Sequence, residues 1–348
     1  MSTPESPIFD DAPRTVQRQP QPIVIQTSNG FVSRWTIRLL AVLLGFSVLF
    51  NIGLFSAWSE YYSAAEPPTE KYVSGSRTGL QKIARITISG TIMPPFTERW
   101  IEQIQAATEA DAVKGVLLVV DSPGGLVADS HQIYHELGKL RAKKPIYVAM
   151  QRMAASGGYY VAMGAGPQGK IFAEPTTWTG SIGVIMPRYE FGDLASKLGI
   201  KSAPLKTGEF KDALNPFEPL SESERELWMN ILDQSFQQFL QIIDENRETL
   251  DLAGVKKLAT GQIYTAKDAK ANGLVDQIGF EDEAIAALQA ELGGKDYRVV
   301  EYESPSSLMD VLMGQAQAQA PNPLETLLES AVPRAWFFCS GLAPASAR

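Results

Sequence analysis

Cysteine and histidine are the scarcest reactive residues in this chain of 348 residues. The one cysteine, Cys339, excludes an intrachain disulfide, so no disulfide pattern indicates the compartment. Any catalytic histidine must be His131 or His135, which lie four residues apart on a predicted helix. Zinc peptidases of the HExxH type need glutamate after the first histidine, and this chain has Gln132. We therefore predict a solvated or packed helix face there, with no metal and no cofactor.

A concentrated basic face is also missing. The formal net charge is −8 and the isoelectric point is near 5.0. Nucleic-acid binding relies on clustered lysine and arginine that neutralise phosphates, so we predict no nucleic-acid partner. Hydrophobic residues make up 45% of the chain, which is enough to bury the core of one large domain or two modest ones.

Charge is absent from residues 39–58, a run about as long as a helix that crosses a hydrocarbon core of roughly 30 Å. Arg34 and Arg38 precede this run and Glu60 follows it. The positive-inside rule then predicts a single-pass anchor in the inner or plasma membrane, with a cytoplasmic N-terminus and an extracytoplasmic main domain. Small residues at 63–65 would also suit a cleaved signal peptide. The length of the run and the long segment before it favour the uncleaved anchor.

Composition divides the rest of the chain. The N-terminal segment is rich in proline, glutamine, serine and threonine, which predicts disorder, and the C-terminal segment carries an apolar patch at 336–338 to which we assign no role. The expected parts are a disordered cytoplasmic leader at 1–33, a transmembrane anchor at 34–62, a linker at 63–79, a main domain at 80–302 and a tail at 303–348.

Short apolar runs alternate with helical patterns in the main domain. Strands are predicted at 84–90, 115–121 and 145–150, and helices near 97–112 and 127–143. The continuous apolar run 116–120 is typical of a strand covered on both faces, as in a parallel sheet wrapped by helices. Ser221 is expected to cap an amphipathic helix that extends to about Leu250. These patterns predict an α/β domain.

Glycine-bearing segments follow two of the predicted strands. In residues 121–125, Asp-Ser-Pro-Gly-Gly, paired glycines would let backbone N–H groups point into a cleft, as an oxyanion hole requires, although the same pattern is an ordinary turn. Ser156 lies between small residues and two glycines, a setting that exposes a nucleophile. It would equally suit a serine that caps a helix.

A serine nucleophile needs a base, and no histidine follows Ser156. A lysine takes that role only where burial lowers the pKa of its amine. Lys211, in the segment Lys-Thr-Gly-Glu-Phe-Lys-Asp, is one candidate, and a surface lysine paired with Asp212 is the alternative.

Five segments, in this order, resemble the bacterial signal peptide peptidase SppA family of serine proteases: residues 121–125, 153–162, 179–185, 206–212 and 261–279. The resemblance covers roughly residues 80–300 and is to the short, single-domain form. It implies the spiral ββα fold, an α/β fold shared with Clp protease and the crotonases, in a protease domain preceded by one transmembrane helix.

The resemblance also implies roles for particular residues. Ser156 matches the nucleophile, Lys211 the general base, and Ser181 the serine that orients the lysine amine. The backbone N–H groups of Gly124 and Gly157 match the oxyanion hole. Gln151-Arg152 departs from the polar pair that is usual before the nucleophile segment.

The implied function is cleavage of remnant signal peptides and other membrane-associated peptides by a Ser–Lys dyad in a homo-oligomer. In short forms, the serine and lysine of one site come from one chain or from neighbouring chains, and both arrangements stay open here. An inactive membrane-anchored scaffold is one alternative, against which the intact serine and lysine set argues. A crotonase-like acyl-CoA enzyme is another, and the predicted extracytoplasmic location argues against it.

Overall fold

The computed structural model describes residues 31–63, 68–294, 296–303 and 336–338. The chain divides into two compact units, Met1–Trp58 and Ser59–Arg348. The leader at 1–33 is expected to be disordered. Its residues lie outside the described ranges, except for residues 31–33.

Helix α1, Phe31–Ser63, lies mostly in the first unit. Its stretch Trp35–Phe55 has a mean hydropathy of 2.1 and buries none of its residues against protein. A helix that is apolar all round and exposed is typical of a membrane span. By length and composition, α1 is long enough to cross a membrane, and a signal sequence would meet the same criterion. It begins at Phe31, inside the segment expected to be a disordered leader.

Within the described residues of the second unit, nine strands form one mixed sheet and two further strands pair separately. The strands are β1 Thr69–Gly75, β2 Lys82–Ser89, β3 Val113–Ser122, β4 Gly124–Leu126, β5 Ile146–Ala155, β6 Ile171–Ala173, β7 Trp178–Gly180, β8 Ile263–Thr265, β9 Gln277–Ile278, β10 Arg298–Glu303 and β11 Trp336–Phe338. The main order is β1-β10-β2-β3-β5-β6-β9, with β7 on β5 and β8 on β7, while β4 pairs with β11.

Helices cover both faces of this sheet. They are α2 Phe96–Glu109, α3 Val127–Arg141, α4 Gly157–Ala162, α5 Gly192–Lys197, α6 Glu222–Asn246, α7 Leu252–Leu258, α8 Ala266–Ala271 and α9 Glu281–Glu291. Strand β3 shows why helices are needed on both faces of the sheet. Val116, Leu118 and Val120 belong to the core cluster under α2 and α3, whereas Leu117 and Val119 belong to a second cluster under α9. Because successive strand residues point to opposite faces, the predicted strand with two covered faces is confirmed.

Helix α6 begins where the sequence predicted. The Ser221 hydroxyl accepts a hydrogen bond from the Glu224 N–H at 3.3 Å, and the Glu224 carboxylate accepts one from the Ser221 N–H at 2.9 Å. This capping box satisfies two N–H groups at the helix start. The helix ends at Asn246, a few residues before the expected end.

The linker expected over residues 63–79 contains a strand. β1 pairs antiparallel with β10, with Thr69 opposite Glu303, so the sheet begins before residue 80. The residues of β1 are mostly exposed and lack an apolar alternation, because an edge strand obtains its hydrogen bonds from its neighbour without burying a face. The expected boundary at 79/80 is therefore corrected to lie before Thr69.

Candidate active site

Ser156 occupies a sharp turn between the end of β5 and the start of α4. Its backbone angles are φ 54° and ψ −113°, a left-handed conformation that a non-glycine residue adopts at a cost of about 1–3 kcal/mol. The Ser156 N–H donates to the Gly180 carbonyl at 2.7 Å, and the Ser156 carbonyl accepts from the Tyr160 N–H at 2.9 Å. The surrounding backbone thus holds the strained turn in place.

The Ser156 side chain is fully buried, and its hydroxyl has no hydrogen-bond partner among the described residues. Ser156 stands at the N-cap position of α4, yet its side chain makes no capping hydrogen bond. The helix-cap alternative is therefore wrong for this side chain. An unpaired buried hydroxyl costs about 1–3 kcal/mol, and buried polar groups without a partner are rare. A catalytic role is one of the explanations for such a group.

Glycines bring the backbone of the 121–125 segment against the start of α4. A Cβ atom on Gly157 would lie 2.6 Å from the Ser130 hydroxyl and 3.0 Å from the Gly125 nitrogen. A Cβ atom on Gly158 would lie 2.7 Å from the Ser122 carbonyl oxygen. Side chains do not fit at such distances, so both positions require glycine. The two glycine-bearing segments of the sequence are thereby joined beside Ser156.

The two expected oxyanion donors differ in their present hydrogen bonding. Gly157 is the first residue of α4, and the first N–H groups of a helix have no acceptor within the helix. The Gly124 N–H instead donates to the Ser122 hydroxyl at 3.1 Å. Gly124 has φ 101°, a conformation that glycine adopts without strain. Use of the Gly124 N–H by a substrate would require that bond to Ser122 to be exchanged.

Ser181 lies next to Ser156 through strand pairing. β5 and β7 are parallel, with Ala155 opposite Gly180, so Ser156 and Ser181 are the next residues on two neighbouring strands. Ser181 has φ 50° and is nearly buried, and its N–H donates to the Gln262 carbonyl at 2.7 Å. The structure therefore brings the two serines together.

Lys211 is not joined to this group in the single chain. It lies in an exposed segment between α5 and α6, and its side chain forms no hydrogen bond or ion pair with any described residue. The alternative of a Lys211–Asp212 pair is also wrong. Asp212 pairs with Lys206 at 2.6 Å, and that hydrogen bond raises the pKa of the Lys206 amine.

The segment around Lys211 exposes several large apolar side chains. They are Phe191, Leu194, Leu198, Ile200, Leu205, Phe210 and Phe217. Leu205 is fully exposed. A set of this many large apolar side chains exposed in one segment is unusual, although single exposed apolar side chains are common. Apolar surface on this scale is typical of a contact with another protein or a membrane.

Sequence reasoning missed three contributors to the site. Ser122 accepts the Gly124 N–H, Ser130 packs against Gly157, and the Gly180 carbonyl holds the Ser156 backbone. The signal for Ser122 was present, since it lies within the segment 121–125. The positions of Ser130 and Gly180 depend on long-range packing.

His131 takes no part in this group. Its Nδ1 atom lies 2.8 Å from the Tyr160 hydroxyl oxygen, on the side of α3 that packs against α4. Burial lowers the pKa of His131, with a smaller contribution from nearby His135. No described group of three or more histidine, cysteine or acidic side chains has the arrangement of a metal site.

A buried serine at a strained turn, beside glycine-lined backbone, is the arrangement that a serine-type peptidase requires of its nucleophile. The sequence profile of peptidase family S49 matches residues 138–294, and that of Clp protease matches residues 69–191. This chain belongs to peptidase family S49, and its predicted fold class is confirmed.

Three relatives support the assignment. A protein of Enterococcus faecium named signal peptide peptidase SppA is 35% identical over 259 residues, which cover 71% of this chain and 74% of that protein. A Synechocystis protein named as a protease is 35% identical over 70% of this chain and 87% of its own length. Protease 4 of Salmonella typhi is 32% identical over 65% of this chain, but the match covers only 37% of that longer protein. The predicted SppA resemblance is confirmed.

Proposed function

We propose that this protein is a membrane-anchored serine endopeptidase with a Ser156–Lys211 dyad. The observation that carries the proposal is the Ser156 hydroxyl, which is buried, held at a strained turn and without a partner among the described residues. The hydroxyl of a buried structural serine normally forms a hydrogen bond, whereas the hydroxyl of a nucleophile stays available for a base and a substrate.

Each residue has a defined task in the proposed reaction. The neutral Lys211 amine accepts the Ser156 hydroxyl proton as the oxygen attacks the peptide carbonyl carbon, and the N–H groups of Gly157 and Gly124 stabilise the resulting oxyanion. The protonated amine then donates its proton to the leaving nitrogen as the peptide bond breaks. Water, activated by the same amine, hydrolyses the acyl-enzyme. Ser181, beside Ser156, accepts a hydrogen bond from the lysine amine and orients it.

Lys211 must approach Ser156 for this chemistry, and two routes are available. Either the exposed segment around Lys211 closes over its own Ser156, or it docks on the Ser156 of a neighbouring copy. The exposed apolar side chains of this segment support a homo-oligomer, in which they would be covered. Mixing Ser156→Ala with Lys211→Ala subunits decides between the routes. Recovered activity means a shared site, and continued inactivity means a site within one chain.

The proposed substrates are remnant signal peptides and other peptides at the membrane. Helix α1 would anchor the domain next to such peptides. The positive-inside rule, applied to Arg34 and Arg38 near the start of the helix, supports an extracytoplasmic domain. Two relatives carry names that agree with this substrate class or with proteolysis, namely signal peptide peptidase SppA and Protease 4.

Hydrolysis of a synthetic signal peptide by the full chain in detergent tests the dyad. We expect Ser156→Ala and Lys211→Ala each to lower kcat/KM by at least about 10³-fold, because removal of one member of a catalytic unit disables the others. Lys206→Ala is the matched control, since it removes a lysine from the same segment, and it should retain activity. Full activity of either dyad variant, with unchanged circular dichroism, would exclude the assignment.

A further inference from the structure

Strand β5, which ends at the proposed nucleophile, is interrupted by a bulge at residues 151–153. Its pairing with β3 stops after Met150 and resumes at Ala154. Over this interval β3 contributes a single residue, Asp121, opposite the three residues of β5. A bulge bends its strand and re-aims the side chains that follow it, and Ser156 follows this one.

The bulge is also where β5 changes neighbours. Residues 148–150 pair with β6, whereas residues 153–155 pair with β7. The pairing with β7 is the one that places Ser156 beside Ser181. The bulge therefore decides where the end of β5 lies, and with it the position of the Ser156 hydroxyl.

The Asp121 carboxylate spans the bulge from the β3 side. Its Oδ1 atom accepts a hydrogen bond from the Met153 N–H at 3.3 Å. Its Oδ2 atom accepts hydrogen bonds from two nitrogens of the Arg152 guanidinium, of which Nε lies 2.7 Å away. The Asp121 side chain is only 7% exposed, whereas that of Arg152 is 84% exposed. Because an exposed ion pair contributes little, the bond to the Met153 backbone is the contact through which Asp121 acts on the strand.

Threonine hydroxyls hold β5 from the other side. The buried Thr177 hydroxyl donates to the Gln151 carbonyl at 2.5 Å. The buried Thr179 hydroxyl donates to the Ala154 carbonyl at 2.6 Å. These two bonds hold carbonyl groups of β5, whereas Asp121 holds an N–H group, so side chains fix the bulge from both of its sides.

We infer that Asp121 is a positioning residue, which holds the bulge of β5 through the Met153 N–H so that the Ser156 hydroxyl lies where it attacks the substrate. The inference rests on the proposed peptidase function. Asp121 acts through the strand and takes no part in the transfer of protons. A reacting group displaced by about 1 Å loses about 10²-fold in rate. Loss of Asp121 should therefore lower kcat, whereas loss of a residue needed only for stability leaves the kcat of the folded protein unchanged.

Hydrolysis of the synthetic signal peptide by the full chain in detergent tests the inference. In Asp121→Ala, and in Asp121→Leu, which fills more of the space of the carboxylate, we expect kcat to fall about 10²-fold at constant KM. Asp121→Asn should restore most of the wild-type kcat, because its amide oxygen still accepts a hydrogen bond from the Met153 N–H. Arg152→Ala should also keep it, because only the exposed ion pair is lost. Unchanged kcat in Asp121→Ala and Asp121→Leu, or a loss of equal size in Asp121→Asn or Arg152→Ala, would overturn the inference.

Asp276 supplies the matched control for lost stability. Its carboxylate also accepts a backbone N–H, from Ile171 at 2.7 Å, and also pairs with an arginine, Arg247, at 2.8 Å. Ile171 pairs with Val148, near the start of β5 and outside the bulge. Asp276→Ala should therefore lower the unfolding temperature without lowering kcat, measured at a temperature at which circular dichroism shows each variant to be folded. An equal loss of kcat in Asp276→Ala and Asp121→Ala would overturn the positioning role.

Hydrogen exchange supplies a readout that needs no catalysis. Amides of the segment 151–156 should exchange faster in Asp121→Ala than in the wild-type chain, and at the wild-type rate in Asp121→Asn. Equal exchange in Asp121→Ala and the wild type would overturn the hold of Asp121 on the bulge. An absence of hydrolysis by the wild-type chain would instead contradict the proposed function, and the exchange comparison would still decide whether Asp121 holds the bulge.

Discussion

Replacement of Ser156 should stabilise the protein while abolishing its activity. Two features of the folded state cost free energy at this position. The buried hydroxyl lacks a partner among the described residues, and the backbone is held at φ 54°. Ser156→Ala removes only the hydroxyl, whereas Ser156→Gly removes the hydroxyl and also relieves the backbone strain. The two variants therefore separate the two costs.

The magnitudes follow from these two terms. Removing a buried, unpaired hydroxyl should raise the free energy of unfolding by about 1–3 kcal/mol in both variants. Relief of the left-handed conformation adds about 1–3 kcal/mol for glycine, from which the greater flexibility of glycine in the unfolded chain subtracts about 0.4–1 kcal/mol. The expected order of stability is glycine, then alanine, then serine.

Thermal unfolding in detergent measures this order, with both substitutions made in the Lys211→Ala chain so that the proposed dyad partner of the Ser156 hydroxyl is absent. For a domain of this size, each kcal/mol shifts Tm by roughly 2–4 °C, so both variants should unfold at a measurably higher temperature than the Lys211→Ala parent. Ser181→Ala is a suitable comparison at the neighbouring serine. A drop in Tm for Ser156→Ala would refute the reasoning, because it would mean that the hydroxyl is hydrogen-bonded in the native protein.

Three further predictions concern packing and charge. Gly157→Ala should lower kcat/KM at least about 10²-fold in the peptide assay, because its Cβ would lie 2.6 Å from the Ser130 hydroxyl and displace the oxyanion donor; normal activity would contradict the close packing. Arg247→Leu should lower the free energy of unfolding by about 3 kcal/mol in urea titrations, because it leaves Asp276, now 2.8 Å from the guanidinium, without its partner; a loss below about 1 kcal/mol would refute this. Burial lowers the pKa of His131, so the unfolded chain binds its proton more readily, and the stability present above about pH 6.5 should be lost as pH falls. The urea midpoint should fall less between pH 7.5 and pH 5.5 in His131→Gln than in the wild-type protein, and an equal fall in both proteins would contradict the assignment.

Local patterns predicted the elements whose cause is local. The uninterrupted apolar run at Val116–Val120 predicted a strand covered on both faces, because both sets of alternate residues need burial. Ser221 and Glu224 predicted a helix start, because a capping box involves only four residues. Ser156 stood out because small neighbours and glycines surround it in the sequence itself.

Elements and contacts that depend on pairing between distant parts of the chain had no comparable signal in the sequence. β1 is polar and exposed, and only its pairing with β10, more than 200 residues later, makes it a strand. The neighbourhood of Ser156 and Ser181 depends on the pairing of β5 with β7. The pairing of the tail patch Trp336–Phe338 with β4 likewise had no signal in the sequence. The contact between Lys211 and Ser156 stays a prediction that rests on the family resemblance.

Covalent labelling by a serine-reactive probe tests the proposed dyad most directly. The full chain is incubated with the probe, and mass spectrometry locates the modified residue in the wild type and in Lys211→Ala, with Lys206→Ala as the control. We predict modification of Ser156 in the wild type and in Lys206→Ala, and a loss of modification in Lys211→Ala. Labelling of Ser156 at the wild-type rate without Lys211, or labelling of another serine in its place, would contradict the proposed mechanism.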